Sequence, residues 1–226
     1  MSARPLLCYI TDRTQFANDE EARRTRLLEK IAEAARCGVD FVQLREKDLC
    51  SRELEGLAIE ALRVIRSQPE TSNETTQTRL LINSRTDVAL AVGAAGVHLP
   101  VNDISPGCVR EIWATCSQGL CGAGTPARAV VSISCHSEQE VAEASQDADL
   151  ALFAPVFEKP GALKLEPAGV ERLRKACQHK IPVLALGGVT LGNAHSCLEV
   201  GAAGIAGIRL FQENEIEAVV QAVRYA

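Results

Sequence analysis

Short apolar runs recur at regular intervals along this chain, and each gives way to polar residues at its carboxyl end. The runs are Leu6–Ile10, Phe41–Leu44, Leu80–Ile82, Gly96–Leu99, Val130–Ile133, Leu150–Phe153, Pro182–Leu186 and Gly204–Ile208. Runs this short and this continuously apolar predict strands buried on both faces, as in a parallel sheet. Stretches of helical periodicity lie between them. Glu20–Cys37 gathers Leu27, Leu28, Ile31, Ala34 and Ala35 on one side. Ser51–Ser67 carries Leu54, Leu57, Ala58, Ala61, Leu62 and Ile65, with Ser51 as the expected N-cap. Further helices are expected at Thr86–Val92, after Ser105-Pro106, and after a capping box at Ser137-Glu138-Gln139-Glu140. Three more are expected over Glu166–Cys177, Gly192–Val200 and Glu213–Val223. Gly38, Gly93 and Gly201 stand where helices turn into strands.

Eight strand-and-helix units predict an α/β fold, a single (β/α)8 TIM barrel occupying residues 1–226 as one domain. Such a barrel assembles its active site from the carboxyl ends of its strands. The polar segment Gln68–Thr78 is expected as an exposed loop at the opposite end.

Composition narrows the picture. Hydrophobic residues make up 46% of the 226 and aromatic residues only 4%, so the core must be aliphatic. The net charge of −5 excludes the basic footprint of a nucleic-acid binder. No apolar run reaches membrane-spanning length. An anionic ligand would have to find local positive groups, because the global field does not attract it. The nine cysteines show no C-x-x-C spacing, and no signal peptide is read at Met1–Arg4. Reduced thiols in a cytoplasmic protein are therefore expected.

The strand ends supply the candidate chemistry. Arg45 and Lys47 alternate with Glu46 after the second run, so the two cations share a side. They suit a phosphate or diphosphate, or else an ion-pair network with Glu46 and Asp48. Gly187-Gly188 follows the seventh run and precedes a helix, a setting that lets backbone N–H groups approach a phosphate. Arg209, after Ile208 at the end of the eighth run, is placed to add a charged hydrogen bond, and a phosphate is expected between these two turns. The alternative for the glycine pair is a turn needed only for backbone geometry. Asp103 and Asn83 offer oxygen donors of the kind Mg²⁺ takes, and Asp103 equally suits the turn into the next helix. His136 ends the fifth run, and an imidazole there suits proton transfer near neutrality. Cys135 is expected to face the other way, which argues against a Cys–His nucleophile pair. His98, inside a run, reads as a satisfied core histidine.

Seven segments together resemble the thiamine phosphate synthase / TenI superfamily. They are Tyr9-Ile10-Thr11-Asp12-Arg13, Gln43-Leu44-Arg45-Glu46-Lys47, Ile82-Asn83-Ser84-Arg85-Thr86-Asp87, Gly96-Val97-His98-Leu99, Ser134-Cys135-His136-Ser137, Pro155-Val156-Phe157 and Ala185-Leu186-Gly187-Gly188-Val189. The resemblance implies a thiamine-pathway enzyme that handles a thiazole phosphate. In the synthase, a pyrimidine diphosphate loses its diphosphate and the thiazole nitrogen captures the resulting cation. Gln43, Arg45 and Lys47 match contacts to the pyrimidine and diphosphate. Asn83 and Ser134 match further diphosphate contacts, Asp103 matches one of two Mg²⁺ aspartates, and Gly188 matches a thiazole-phosphate contact.

Two departures stand out. Ser84 replaces the second metal aspartate, and Phe157-Glu158-Lys159-Pro160-Gly161 replaces a Thr-x-Thr-Lys stretch, leaving Lys159 as the stand-in for the family lysine. His98-Leu99-Pro100 with Ile104-Ser105-Pro106 resembles the TenI branch, a thiazole phosphate tautomerase that needs no metal and whose histidine falls at His136. The resemblance therefore implies a tautomerase without cofactor first, and a Mg²⁺-using synthase as the alternative. A silent barrel binding a thiazole or thiamine phosphate for regulation is the third reading. The family resemblance also implies a homodimer.

Overall fold

The computed structural model describes residues 4–16, 19–68, 77–117, 128–158 and 167–225. Eight strands close in chain order into a parallel barrel: β1 (Leu6–Ile10), β2 (Phe41–Leu44), β3 (Arg79–Asn83), β4 (Gly96–Leu99), β5 (Val130–Cys135), β6 (Leu150–Phe153), β7 (Val183–Ala185) and β8 (Gly204–Gly207). The ring closes where Leu6 of β1 meets Gly204 and Tyr9 meets Gly207. The helices between strands are α1 (Glu20–Arg36), α2 (Ser51–Arg66), α3 (Thr86–Val92), α4 (Pro106–Ser117), α5 (Glu138–Ala144), α6 (Gly169–Ala176) and α7 (Ala194–Glu199). The short α8 (Arg209–Gln212) and α9 (Ile216–Arg224) end the chain. The TIM barrel expected from the eightfold pattern is the fold observed.

Each strand is buried on both sides, which is why its sequence is continuously apolar. Cys8, Ile10, Phe41, Leu81, Leu152, Leu184 and Ala206 fill the barrel interior. The alternate residues, among them Leu7, Tyr9, Val42, Leu44 and Ile82, pack outward against Leu27, Ile31, Leu57, Trp113 and Val219 of the helices. Each fully buried Leu or Ile contributes about 1.5–3 kcal/mol. Buried Asp40 ties the base together: it accepts hydrogen bonds from the Leu7 N–H at 2.7 Å, from Arg4 at 2.7 Å and from Arg224 at 2.6 Å.

Local details differ from the sequence expectations. The N-cap of α2 is Cys50 rather than Ser51, and the Glu53 carboxylate accepts from the Cys50 N–H at 2.9 Å. Ser137 does cap α5, but Glu140 reaches past it to the His136 N–H. Thr78 is not exposed: its hydroxyl donates to the Val39 carbonyl at 2.6 Å and is buried there. Gln68 is half-buried and Gln77 exposed, and residues 69–76 of that expected loop lie outside the described residues. Gly38, Gly93 and Gly201 all adopt positive φ, as helix-ending glycines do. Among the described residues, no helix is long and apolar enough to cross a membrane.

Candidate functional site

The inner face of the barrel becomes polar toward the carboxyl ends of the strands. On β2, the alternation that points Phe41 inward does the same for Gln43, which is buried. Its Nε2 donates to Asn83 Oδ1 at 3.0 Å, and Asn83 Nδ2 donates to the Ser84 hydroxyl at 3.1 Å. Gln43 Oε1 is buried with no hydrogen-bond partner. An unpaired buried carbonyl of this kind costs about 1–3 kcal/mol unless something donates to it, so it is a natural point of ligand contact. Ser84 has φ 62, a left-handed conformation in which Asn and Asp are the favoured non-glycine residues.

Deeper on the same face, His98 lies between two hydroxyls. Ser132 Oγ is 3.0 Å from Nδ1 and Ser134 Oγ is 2.9 Å from Nε2. Burial, reinforced by the charge of Arg45, pushes the His98 pKa down to about 3, so the ring is neutral. The expected satisfied core histidine is what is found, and it touches Ser134, one of the candidate ligand contacts.

At the top of β5, Cys135 is buried toward the helices while His136 is exposed. His136 Nδ1 lies 2.6 Å from the Ala154 carbonyl. A carbonyl oxygen only accepts, so Nδ1 carries a proton here, and Nε2 is the nitrogen left without this partner. Burial pushes the Cys135 thiol up to about 12, which removes it as a nucleophile.

The cations divide into two stations. Arg45 is half-buried and Lys47 exposed after β2. Neither forms an ion pair among the described residues. Glu46 and Asp48, the acids expected to neutralise them in the ion-pair alternative, are instead held by Arg13. The second station is a cleft of about 660 Å³ lined by Gly187, Gly188, Thr190, Ile208 and Arg209. Arg209 does not end β8; it is the first residue of α8 and is exposed. Two acids, Glu158 and Glu213, share this cleft, so its charge is mixed. Gly188 has φ +68, and a Cβ there would lie 2.7 Å from the Phe157 carbonyl carbon and 2.5 Å from the Glu158 oxygen. Backbone packing alone therefore requires a glycine at this position. Lys159 lies outside the described residues.

The β1 loop, which carries Arg13, is joined to α8, which Arg209 begins. The Asp12 N–H donates to Gln212 Oε1 at 3.0 Å, and Gln212 Nε2 donates back to the Asp12 carbonyl at 3.0 Å. No signal in the sequence linked these positions.

A Mg²⁺ site of the synthase type does not fit this donor set. Asp103 Oδ1 accepts from the Ile104 N–H at 2.8 Å, in the turn toward α4, and the second carboxylate position is Ser84. Among the described residues, no three His, Cys, Asp or Glu side chains gather in a metal-binding group.

Comparison with known proteins adds to this geometry. A family model described as thiamine monophosphate synthase matches residues 7–211. A protein of Aquifex aeolicus (strain VF5), provisionally named thiamine-phosphate synthase 2, is 35% identical over 92% of this chain and 98% of its own. The thiamine-phosphate synthase of Caldanaerobacter subterraneus subsp. tengcongensis (strain DSM 15242 / JCM 11007 / NBRC 100824 / MB4) is 35% identical over 85% of this chain and 82% of its own. Among solved structures, the thiamine phosphate pyrophosphorylase from Pyrococcus furiosus superposes with a TM-score of 0.73 at 27% identity, covering 97% of this chain and 93% of that one. These names favour the synthase and lend no support to the tautomerase that the TenI-like segments put first. The barrel, the ordered motifs and a match running from β1 to α8 agree: the chain belongs to the thiamine monophosphate synthase family, the enzymes of thiamine biosynthesis that share the TenI superfamily.

Proposed function

We propose that this barrel is a thiamine phosphate synthase, joining a pyrimidine diphosphate to a thiazole phosphate with release of diphosphate. The observation that carries this reading is that Arg45 and Lys47 stand after β2 with their acidic neighbours held by Arg13, while Arg209 and Gly187-Gly188 line a separate cleft after β7 and β8. A tautomerase has one phosphate to hold. A synthase has a diphosphate and a phosphate, and Arg45 with Lys47 suits the first as Arg209 with Gly187, Gly188 and Ile208 suits the second. Gln43 Oε1 would accept from a donor on the pyrimidine, and Asn83 and Ser134 would contact the diphosphate. Lys159, the stand-in for the family lysine, would offset part of the leaving group's negative charge. Expulsion of diphosphate leaves a carbocation on the pyrimidine side, and the thiazole nitrogen closes the new bond. In the absence of a fitting metal cage, Arg45 and Lys47 would bear the negative charge that develops on the leaving group.

A second reading, thiazole tautomerase, is favoured by one observation: the His136 Nδ1 is engaged by the Ala154 carbonyl at 2.6 Å, which orients the exposed ring with Nε2 outward. The enzyme would work as one domain of residues 1–226, as a homodimer in the cytoplasm, with small-molecule substrates and neither nucleic acid nor membrane as partner.

The test is incubation with the thiazole phosphate carboxylate tautomer, with and without pyrimidine diphosphate and Mg²⁺. Thiamine phosphate formation supports the synthase. Aromatised thiazole without metal and without joining would replace it by the tautomerase. Binding without turnover would leave a regulatory barrel.

A further inference from the structure

Arg45-Glu46-Lys47-Asp48 alternates cation and acid along one short segment. In isolation such a segment neutralises itself. The structure prevents this with a residue from a different strand loop. Arg13, only 3% exposed, takes both acids. Its NH1 and NH2 groups grip the Asp48 carboxylate at 2.7 and 2.8 Å. NH1 also reaches Glu46 Oε2 at 3.1 Å, and the Arg13 backbone N–H donates to the same oxygen at 3.0 Å. The other Glu46 oxygen accepts from the Thr11 hydroxyl at 2.5 Å, and that hydroxyl accepts from the Arg45 N–H at 2.9 Å. Glu20 completes the guanidinium's partners at 2.6 Å. The Arg13 side chain lowers the Asp48 pKa, chiefly through these hydrogen bonds.

We infer that Arg13 is a positioning residue that withdraws Glu46 and Asp48 from Arg45 and Lys47, leaving those two cations free for the anionic group of a ligand. The assignment rests on the reading of Arg45 and Lys47 as an anion station. A planar fork is needed for it: one guanidinium spans two carboxylates, which a single ammonium would not hold in the same geometry. Removing Arg13 would return the acids to their sequence neighbours, and the segment would bind its own charges in place of a ligand's.

The probe is inorganic diphosphate, titrated calorimetrically into the intact protein. Arg13→Gln should weaken diphosphate binding by about tenfold or more, the scale of one lost charged interaction. Adding Asp48→Asn to Arg13→Gln removes the freed carboxylate and should bring affinity back to within about threefold of the unmodified protein. A merely structural role for Arg13 predicts no such rescue, because Asp48→Asn restores none of the lost contacts. If Arg13→Gln does not fold, Arg13→Lys with and without Asp48→Asn carries the same comparison. Diphosphate affinity that is unchanged in the single variant, or lost and not rescued in the double one, overturns the inference. Failure of the unmodified protein to bind diphosphate overturns the anion station itself and the inference with it.

Discussion

Ser134 stands directly over His98: the serine hydroxyl is 2.9 Å from the imidazole Nε2, and the ring's other nitrogen is taken by Ser132. A neutral imidazole has one N–H and one bare nitrogen, so it donates to one hydroxyl and accepts from the other. The His98 ring therefore sets whether Ser134 offers a ligand its proton or its lone pair.

A pH dependence of stability follows from the same ring. Its pKa of about 3 in the folded protein lies below the ordinary 6.5. Between those values the unfolded chain takes up a proton that the folded barrel refuses. Stability should fall as pH drops from 6.5 toward 3, by at most about 1.4 kcal/mol per pH unit from this group, with no contribution above 6.5. His98→Gln, which cannot titrate, should flatten that acid limb in urea denaturation. An identical acid slope in the variant would show that other groups govern it.

Arg209→Ala should weaken thiazole phosphate binding by about tenfold or more, corresponding to a charged hydrogen bond of about 1.5–3 kcal/mol. The two carboxylates in the same cleft, Glu158 and Glu213, make the cation more necessary. An unchanged calorimetric affinity would remove Arg209 from the ligand contacts.

His136→Asn separates the two enzymatic readings. If His136 moves a proton on the thiazole, the variant should lose about 10²–10⁴-fold in tautomerase turnover while phosphate affinity stays nearly constant. Cys135→Ser, whose side chain faces the helices, should leave turnover much less affected. Full tautomerase activity in His136→Asn would place the proton transfer elsewhere.

Ser84→Asp should strengthen Mg²⁺ binding measured in the presence of diphosphate. The backbone at φ 62 already suits Asp, so the substitution adds a carboxylate at the position matching the second metal aspartate without demanding a new turn. No gain in metal affinity would mean that the two positions do not face a common ion.

Much of this was legible in the chain because strand burial is periodic and local. Phe41–Leu44 or Leu150–Phe153 announces a strand from four residues. The helix-ending glycines are equally local, since φ must turn positive there. What stayed hidden is contact across the barrel. Nothing near Arg13 shows that its partners sit 33 and 35 positions away, so the Glu46 and Asp48 pairing with Arg45 and Lys47 remained open. The eighth run extends to Ile208 because an apolar run does not reveal that β8 stops at Gly207 and that Arg209 begins a helix. The cap at Cys50 was missed because the hydrogen bond that marks the turn comes from Glu53, not from a residue type that favours the cap position.

The reciprocal bonds between Asp12 and Gln212 join positions 200 apart in the chain. Contacts of such separation form only after most of the polypeptide has been drawn together, at a large cost in loop entropy. The cleft at Arg209 is therefore a late product of folding, whereas the Arg13 brace beneath Arg45 and Lys47 needs contacts only 33 and 35 positions apart. A fragment lacking the last helices would keep Arg45 and Lys47 but lose the opposite wall. The converse holds for a ligand that bridges the stations. It binds only the closed ring, so at 100 times its Kd it would add about 2.7 kcal/mol to the barrel's resistance to unfolding. Substrate would then act as the clasp that keeps the first and last strands from parting.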